Sequence, residues 1–178
     1  DYLKIHYGEE VMFSFMRKLS LSADILKCHD IDININVITD LCLELNSFGF
    51  HESEIINMGA WSYRLNKDSD LGEDFRKFDN LSSLYKEVCS HYSKKFDQNF
   101  QYEFVNENKD EIVIRSKVSE MALDAYSGQQ IGNQLTCLSK IGVFSTFSCY
   151  LGLEKSKVSK THCIYQGDDY SQYIIKFN

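Results

Sequence analysis

Proline is missing from this chain of 178 residues, so its turns fall to glycine, asparagine and aspartate, which reach turn geometry by other routes. Beside the abundance of Asn, Lys and Ile, the gap reflects base composition of the source genome more than a physical demand. Tryptophan occurs once, against eleven tyrosines and twelve phenylalanines. No apolar run is long enough to span a bilayer and no signal peptide is visible, so a cytoplasmic location without membrane insertion is expected. The six cysteines (Cys28, Cys42, Cys89, Cys137, Cys149, Cys163) form no C-x-x-C pair. They read as free thiols, and a disulfide framework is excluded at this length. Basic residues are outnumbered, and the net charge is −7. That excludes nucleic acid and anionic lipid as main partners, since both need basic patches.

What is present is a core-forming composition. Hydrophobic residues make up 43% and aromatics 13% of the chain, enough for one packed domain over residues 1–178. The tail is the most informative stretch. Residues 158–177 read as two strands hinged at Gly167-Asp168-Asp169, where Gly and Asp accept turn conformations. Tyr173, Ile175 and Phe177 alternate to one face and Ile174 to the other. A chain that stops on such a strand reads as a module excised from a longer protein.

Apolar spacing predicts helices upstream. Val11, Met12, Phe15, Met16 and Leu19 form an i, i+3, i+4 stripe over residues 9–21. Asp30–Ile35 alternates and reads as an extended lead-in to a helix capped by Asn36 and ended by Gly49. A third helix begins after Ser53 and passes Trp61, and residues 67–73 read as a polar loop. Asn80 or Ser82 caps a fourth across Leu84, Tyr85, Val88 and Tyr92. The period then changes: Phe100, Tyr102 and Phe104 alternate, and a polar loop leads to Ile112-Val-Ile114, a hairpin. The longest helix is expected over residues 127–151, with a stop at Gly152. The sum is an α+β class: N-terminal helices, two antiparallel hairpins forming a four-stranded sheet, and one long helix between the hairpins.

From Asn80 onward this order and the tail resemble a superfamily of bacterial sensor domains. Its members include 4-vinyl-reductase-like and haem-NO-binding-like domains, phenol-sensing regulator domains and subunits of vesicle-trafficking tethering complexes. The residues that carry the likeness are Cys163, Gly167-Asp168, Ser171, Tyr173, Ile175 and Phe177, with Cys137-Leu-Ser-Lys-Ile-Gly142 and Gly152 before them. Gly59-Ala-Trp-Ser-Tyr63 and Leu71-Gly72 match more loosely. The resemblance implies a small-molecule-sensing input domain of a histidine kinase, a cyclic-nucleotide or cyclic-dinucleotide enzyme or a transcription regulator. It implies a homodimer that holds a small apolar or aromatic ligand between helices and sheet. Ligand binding would bias two packings by its differential affinity for them. On those elements the candidate lining is Trp61, Tyr63, Tyr102, Phe104, Tyr126, Phe144 and Phe147, each of which could equally be ordinary core.

Two cofactors follow from the same likeness, as alternatives to no cofactor. The zinc position of the phenol-sensing branch falls on Cys137 and Cys163, but its acidic ligand falls on Lys160 and its last cysteine on Ser171. Two thiolates leave a tetrahedral zinc two ligands short. Haem would take His51, His91 or His162 as axial ligand; the Tyr-x-Ser-x-Arg motif of the haem-nitric-oxide family is absent, the nearest fragment being Ile114-Arg115-Ser116. A haem- or metal-dependent gas or redox sensor on the same fold is therefore one alternative function, and a ligand-free assembly module another. No enzyme is expected. Asp168-Asp169 is explained by turn chemistry, Asp68-Ser-Asp70 and Glu73-Asp74 lack the remaining calcium ligands, and adjacent strand residues His162 and Cys163 face opposite ways.

Overall fold

The i, i+3, i+4 stripes draw the first half of the chain into helices, as shown in a computed structural model that describes residues 2–22, 24, 35–127 and 129–177. Helices α1 (Tyr2–Tyr7), α2 (Glu9–Lys18), α3 (Ile35–Ser47) and α4 (Glu52–Asn66) come first. Leu3, Phe15 and Leu45 pack into one apolar cluster among them. At the start of α4 the Glu54 carboxylate accepts from the His51 backbone N–H at 2.7 Å and also from the Tyr7 hydroxyl. That single side chain caps one helix and ties α1 to it. Of the expected lead-in, residues 30–34 lie outside the described residues, and Ile35 opens α3 one residue ahead of the expected cap.

The polar stretch expected to be a loop carries a helix instead, α5 (Asp70–Phe75), capped by Ser69, whose hydroxyl accepts from the Gly72 N–H. Its polar residues hid two inward apolar groups, Leu71 and Phe75. The cap expected at Asn80 is there, accepting from the Ser83 N–H at 2.9 Å. From it α6 (Leu81–Glu87) continues through one π-helical turn at Val88–Tyr92 into α7 (Ser93–Phe96).

Strands β1 (Phe100–Glu107) and β2 (Glu111–Val118) meet at Asn108, whose side chain accepts from the Asp110 and Glu111 N–H groups. After α8 (Glu120–Ala125), α9 (Gln134–Ser145) and α10 (Phe147–Tyr150) come β3 (Lys157–His162) and β4 (Ser171–Lys176). The sheet runs β1-β2-β4-β3, antiparallel throughout. The α+β architecture expected from the sequence is the one observed. In the last hairpin Gly167 holds φ +97° and the Asp168 carboxylate accepts from the Cys163 N–H at 2.7 Å.

The long helix is shorter than its apolar spacing predicts, and broken. Asn133 caps α9, accepting from the Thr136 N–H at 3.0 Å, while its own N–H donates to the Thr136 hydroxyl at 3.1 Å. Local capping at that point outcompetes helix propagation from residue 127. At the other end the Thr146 N–H turns back to the Val143 carbonyl at 3.1 Å, a tighter turn that separates α9 from α10.

The inner sheet face buries Ile112, Ile114, Tyr173 and Ile175 against Leu84, Tyr85, Phe144 and Phe147. The α4 and α9 backbones touch through glycine. A Cβ on Gly59 would overlap the Ser139 carbonyl, and one on Gly142 would overlap the Ile56 carbonyl. Gly142→Ala should therefore destabilise the fold by about 1–3 kcal/mol, the usual range for overpacking. Urea unfolding reads this directly; an unchanged midpoint would mean the two helices part freely.

Candidate functional site

Where α4, α5, the π-helical turn, β1, α9 and α10 converge they border a half-open cavity of about 320 Å³. The π turn inserts a residue into the α6–α7 helix, and Val88, Tyr92 and Ser93 line one wall there. Phe75, Phe147 and Tyr150 form another wall with edge-to-face ring contacts; Phe75 lies 5.1 Å from Tyr150 and 5.6 Å from Phe147, centroid to centroid. Tyr102 and Phe144 form the sheet-side wall, and Ser62 and Asn66 stand on the α4 side. Lining of this kind, apolar with a few polar groups, is what small-molecule sites present.

Of the seven aromatics expected at a cavity, Tyr102, Phe144 and Phe147 line this one. Tyr63 stands behind the wall, its ring 4.9 Å from Tyr150 and its hydroxyl donating to the Cys149 carbonyl at 3.4 Å. Trp61 faces the N-terminal helices, with its ring 5.6 Å from Tyr2 and 5.1 Å from His6. Phe104 packs under the Lys86 ammonium, and Tyr126 follows α8 away from the lining. Leu71, Phe75, Val88, Tyr92 and Tyr150 were missed. Leu71 lay in the stretch that reads as loop, Phe75 just beyond it where no element was expected, and a π turn leaves no mark on apolar spacing.

The described histidines stand apart from the cavity, and His29 lies outside the described residues. His6, His51 and His91 are exposed, and His162 is half-buried on β3 against the Tyr170 ring, 5.2 Å away. Cys137 and Cys163 are buried, with Cys137 Sγ 3.4 Å from the Ser171 hydroxyl. Burial raises the Cys137 thiol pKa. Among the described residues no three His, Cys, Asp or Glu side chains are grouped to hold a metal. Cys42, Cys89, Cys137, Cys149 and Cys163 are free thiols; Cys28 lies outside the described residues.

Beneath α9 the sheet carries a polar row. Tyr102 of β1 pairs with Ser116 of β2, which pairs with Ser171 of β4. Lys140 projects from α9 into this region. Its Nζ sits 3.0 Å from the Phe100 ring centroid, 4.8 Å from that of Tyr102 and 3.9 Å from Asp97 Oδ2. The Tyr102 hydroxyl donates to the same Asp97 oxygen at 2.5 Å. Burial lowers the Lys140 pKa to about 8, with Asp97 opposing the shift.

No family model and no curated protein matches the sequence. Solved structures do match. The H-NOX protein from K. algicida, in the Fe(II) unliganded state, has a TM-score of 0.68 at 11% identity, over 99% of this chain and 90% of that one. The S. oneidensis H-NOX protein in the Fe(II)NO ligation state gives 0.66 at 14%, over 99% and 93%. A structure from work on haem distortion in the H-NOX family gives 0.65 at 13%, over 99% and 89%. The fold is the H-NOX fold. The aromatic cavity lies inside it, where the H-NOX helices meet the sheet.

Within this H-NOX fold Lys140 has a measurable signature. Its folded pKa lies below the ordinary 10.5, so between pH 8 and 10.5 the unfolded chain binds more protons and Lys140's contribution to stability rises with pH. Lys140→Met should thus be more stable than the parent at pH 7, because it removes a desolvated charge while Asp97, 29% exposed and accepting from the Tyr102 hydroxyl, stays solvated and partnered. The gap should narrow from pH 8 upward. Paired urea titrations at pH 7 and 9.5 check this; a gap that is constant with pH would mean the amine is fully hydrated.

Proposed function

We propose that the chain is a sensory input domain on the H-NOX fold, in which occupancy of the aromatic cavity sets how α9 and the α6–α7 helix pack on the sheet. The observation that carries this reading is the coincidence of an end-to-end H-NOX likeness with an interior aromatic cavity. A ligand that binds one packing better than another shifts the balance by that difference in affinity. The output domain, the homodimer and the cytoplasmic setting implied by the family resemblance belong to the same proposal. Among the described residues no helix is long and apolar enough to cross a membrane.

The second reading is a haem-dependent gas sensor. The neighbours, with their Fe(II) and Fe(II)NO states, support it more strongly than they support a receptor for an unrelated apolar guest. Haem iron needs an axial donor: His, Cys thiolate, Met or Tyr. Among the described residues the cavity lining holds no His, Cys or Met. The Tyr102 hydroxyl is engaged with Asp97, burial and the neighbouring Asp74 carboxylate raise the Tyr92 phenol, and burial pushes the Tyr150 phenol up to about 12. Cys89, in the π turn beside Val88, is pushed up to about 12 by burial and stays a thiol at neutral pH. The described residues do not fit haem, so the fold favours that reading and the described donor set opposes it.

One pair of measurements separates them. Ferrous haem added to the purified domain and then desalted should leave no one-to-one complex with a Soret band. Toluene followed by methyl and aromatic NMR should shift resonances of Phe75, Phe144 and Phe147, and Phe144→Trp should abolish those shifts while the protein stays folded. Retained stoichiometric haem would establish the gas sensor in place of the receptor. Absence of any toluene shift would leave the cavity without a ligand role.

A further inference from the structure

We infer that the cavity ligand is a neutral molecule with an apolar ring and one hydrogen-bond-accepting oxygen, read by the ammonium group of Lys140. This rests on the receptor reading above and adds the chemical class of the guest.

The starting point is an unmet donor. The Lys140 side chain is 10% exposed, and its Nζ has no hydrogen-bond partner. Two ring faces and a carboxylate at 3.9 Å surround it; at that distance Asp97 is an ion-pair neighbour but not a hydrogen-bond acceptor. An ammonium group carries three donors, and a buried polar group left without partners is a cost that folded proteins avoid. Tyr173 Oη and Ser116 Oγ also lack partners. Ser116 sits beside Tyr102 in the polar row under α9, so polarity there is incompletely satisfied in more than one place.

The amine stands directly behind the polar end of the cavity. Asp97 and Tyr102 belong to the cavity wall and both also neighbour Nζ, whose nearest group is the Phe100 ring outside that wall. Lys140 is not itself part of the lining; it lies one helical turn before Phe144, which is. A guest oxygen that enters beside the Tyr102 ring, with the Tyr102–Asp97 hydrogen bond kept, comes within reach of Nζ.

Charge then selects the class. Lys140 and Asp97 already balance each other, so a carboxylate guest would add a second negative charge beside Asp97, and an amine guest a second positive charge beside Lys140. Both are disfavoured beside the buried Lys140 ammonium, where screening by water is reduced. A carbonyl oxygen accepts the hydrogen bond and leaves the charge balance intact. A volume of about 320 Å³ is near the lower end of ligand pockets, which suits one ring with a short substituent.

Acetophenone and ethylbenzene form a matched pair, alike in ring and length and differing in the oxygen; benzoate supplies the charged arm. Titrated into the folded domain and followed by NMR, acetophenone should bind about tenfold tighter than ethylbenzene, the low end for a hydrogen bond to a charged group. In Lys140→Met that preference should vanish while ethylbenzene binds both proteins alike. The Lys140 side-chain resonances should move with acetophenone and stay with ethylbenzene, a readout that needs no variant. Equal binding of the pair, tighter binding of benzoate, or a preference that survives in Lys140→Met overturns the inference and leaves the cavity reading intact. Binding of none of the three overturns both.

Discussion

The direct approach of α4 to α9 sets the position of everything around the cavity. Gly59 meets the Ser139 backbone and Gly142 meets the Ile56 and Ala60 backbone, so neither helix has a side chain to spare at the crossing. Because hydrogen is the only group that fits there, the distance between the helices is fixed by backbone contact, with no compressible side-chain layer between them. Leu138 and Ile55 fill one side of the crossing beside Cys42 of α3. From the other side Phe144 reaches down to Tyr173, 5.0 Å away between centroids. The helical layer is thereby registered to the sheet, and the volume left over between them is the cavity.

Low polarity governs the chemistry of that interior. Burial raises the phenols of Tyr85, Tyr102 and Tyr173 and the thiols of Cys89 and Cys137, so all of them are neutral around pH 7. Where such groups have partners they serve architecture. The Tyr85 hydroxyl donates to the Phe144 carbonyl at 2.6 Å, at the end of α9 where the helix gives way to Thr146. Lys140 differs because it carries a charge without an acceptor, where the sheet face turns from aliphatic to polar. A fold can tolerate that only where other contacts over-determine it, and such places are where binding sites are built.

The element types were largely legible, and the failures have specific causes. Strict alternation around Tyr102 and Tyr173 marked the strands correctly because one face of each is buried, which makes period two unavoidable. The helix over residues 127–151 was overextended because apolar spacing continues through its boundaries; the Asn133 cap and the turn at Thr146 are hydrogen-bond events that hydrophobic periodicity does not record. Residues 67–73 were lost to the loop class for the opposite reason, since α5 turns inward only Phe75, Gly72 and the half-buried Leu71 among charged neighbours. At the site, Tyr102, Phe144 and Phe147 could be named in advance because they lie on strongly periodic elements. Phe75, Tyr92 and Tyr150 could not, because a short helix, a π turn and a broken helix place them.

The amino-acid sequence by itself determined the local periods, the principal caps, the antiparallel hairpins and the acidic surface, all set by neighbours within a few positions. Which of many aromatic rings face one cavity, and that a lysine on the long helix is buried without an acceptor, was decided only in three dimensions. Burial is a property of segments far apart in the chain: Lys140 meets Asp97, Phe100 and Tyr102 only after α9 has crossed the sheet. No spacing rule within α9 distinguishes that lysine from one pointing at water.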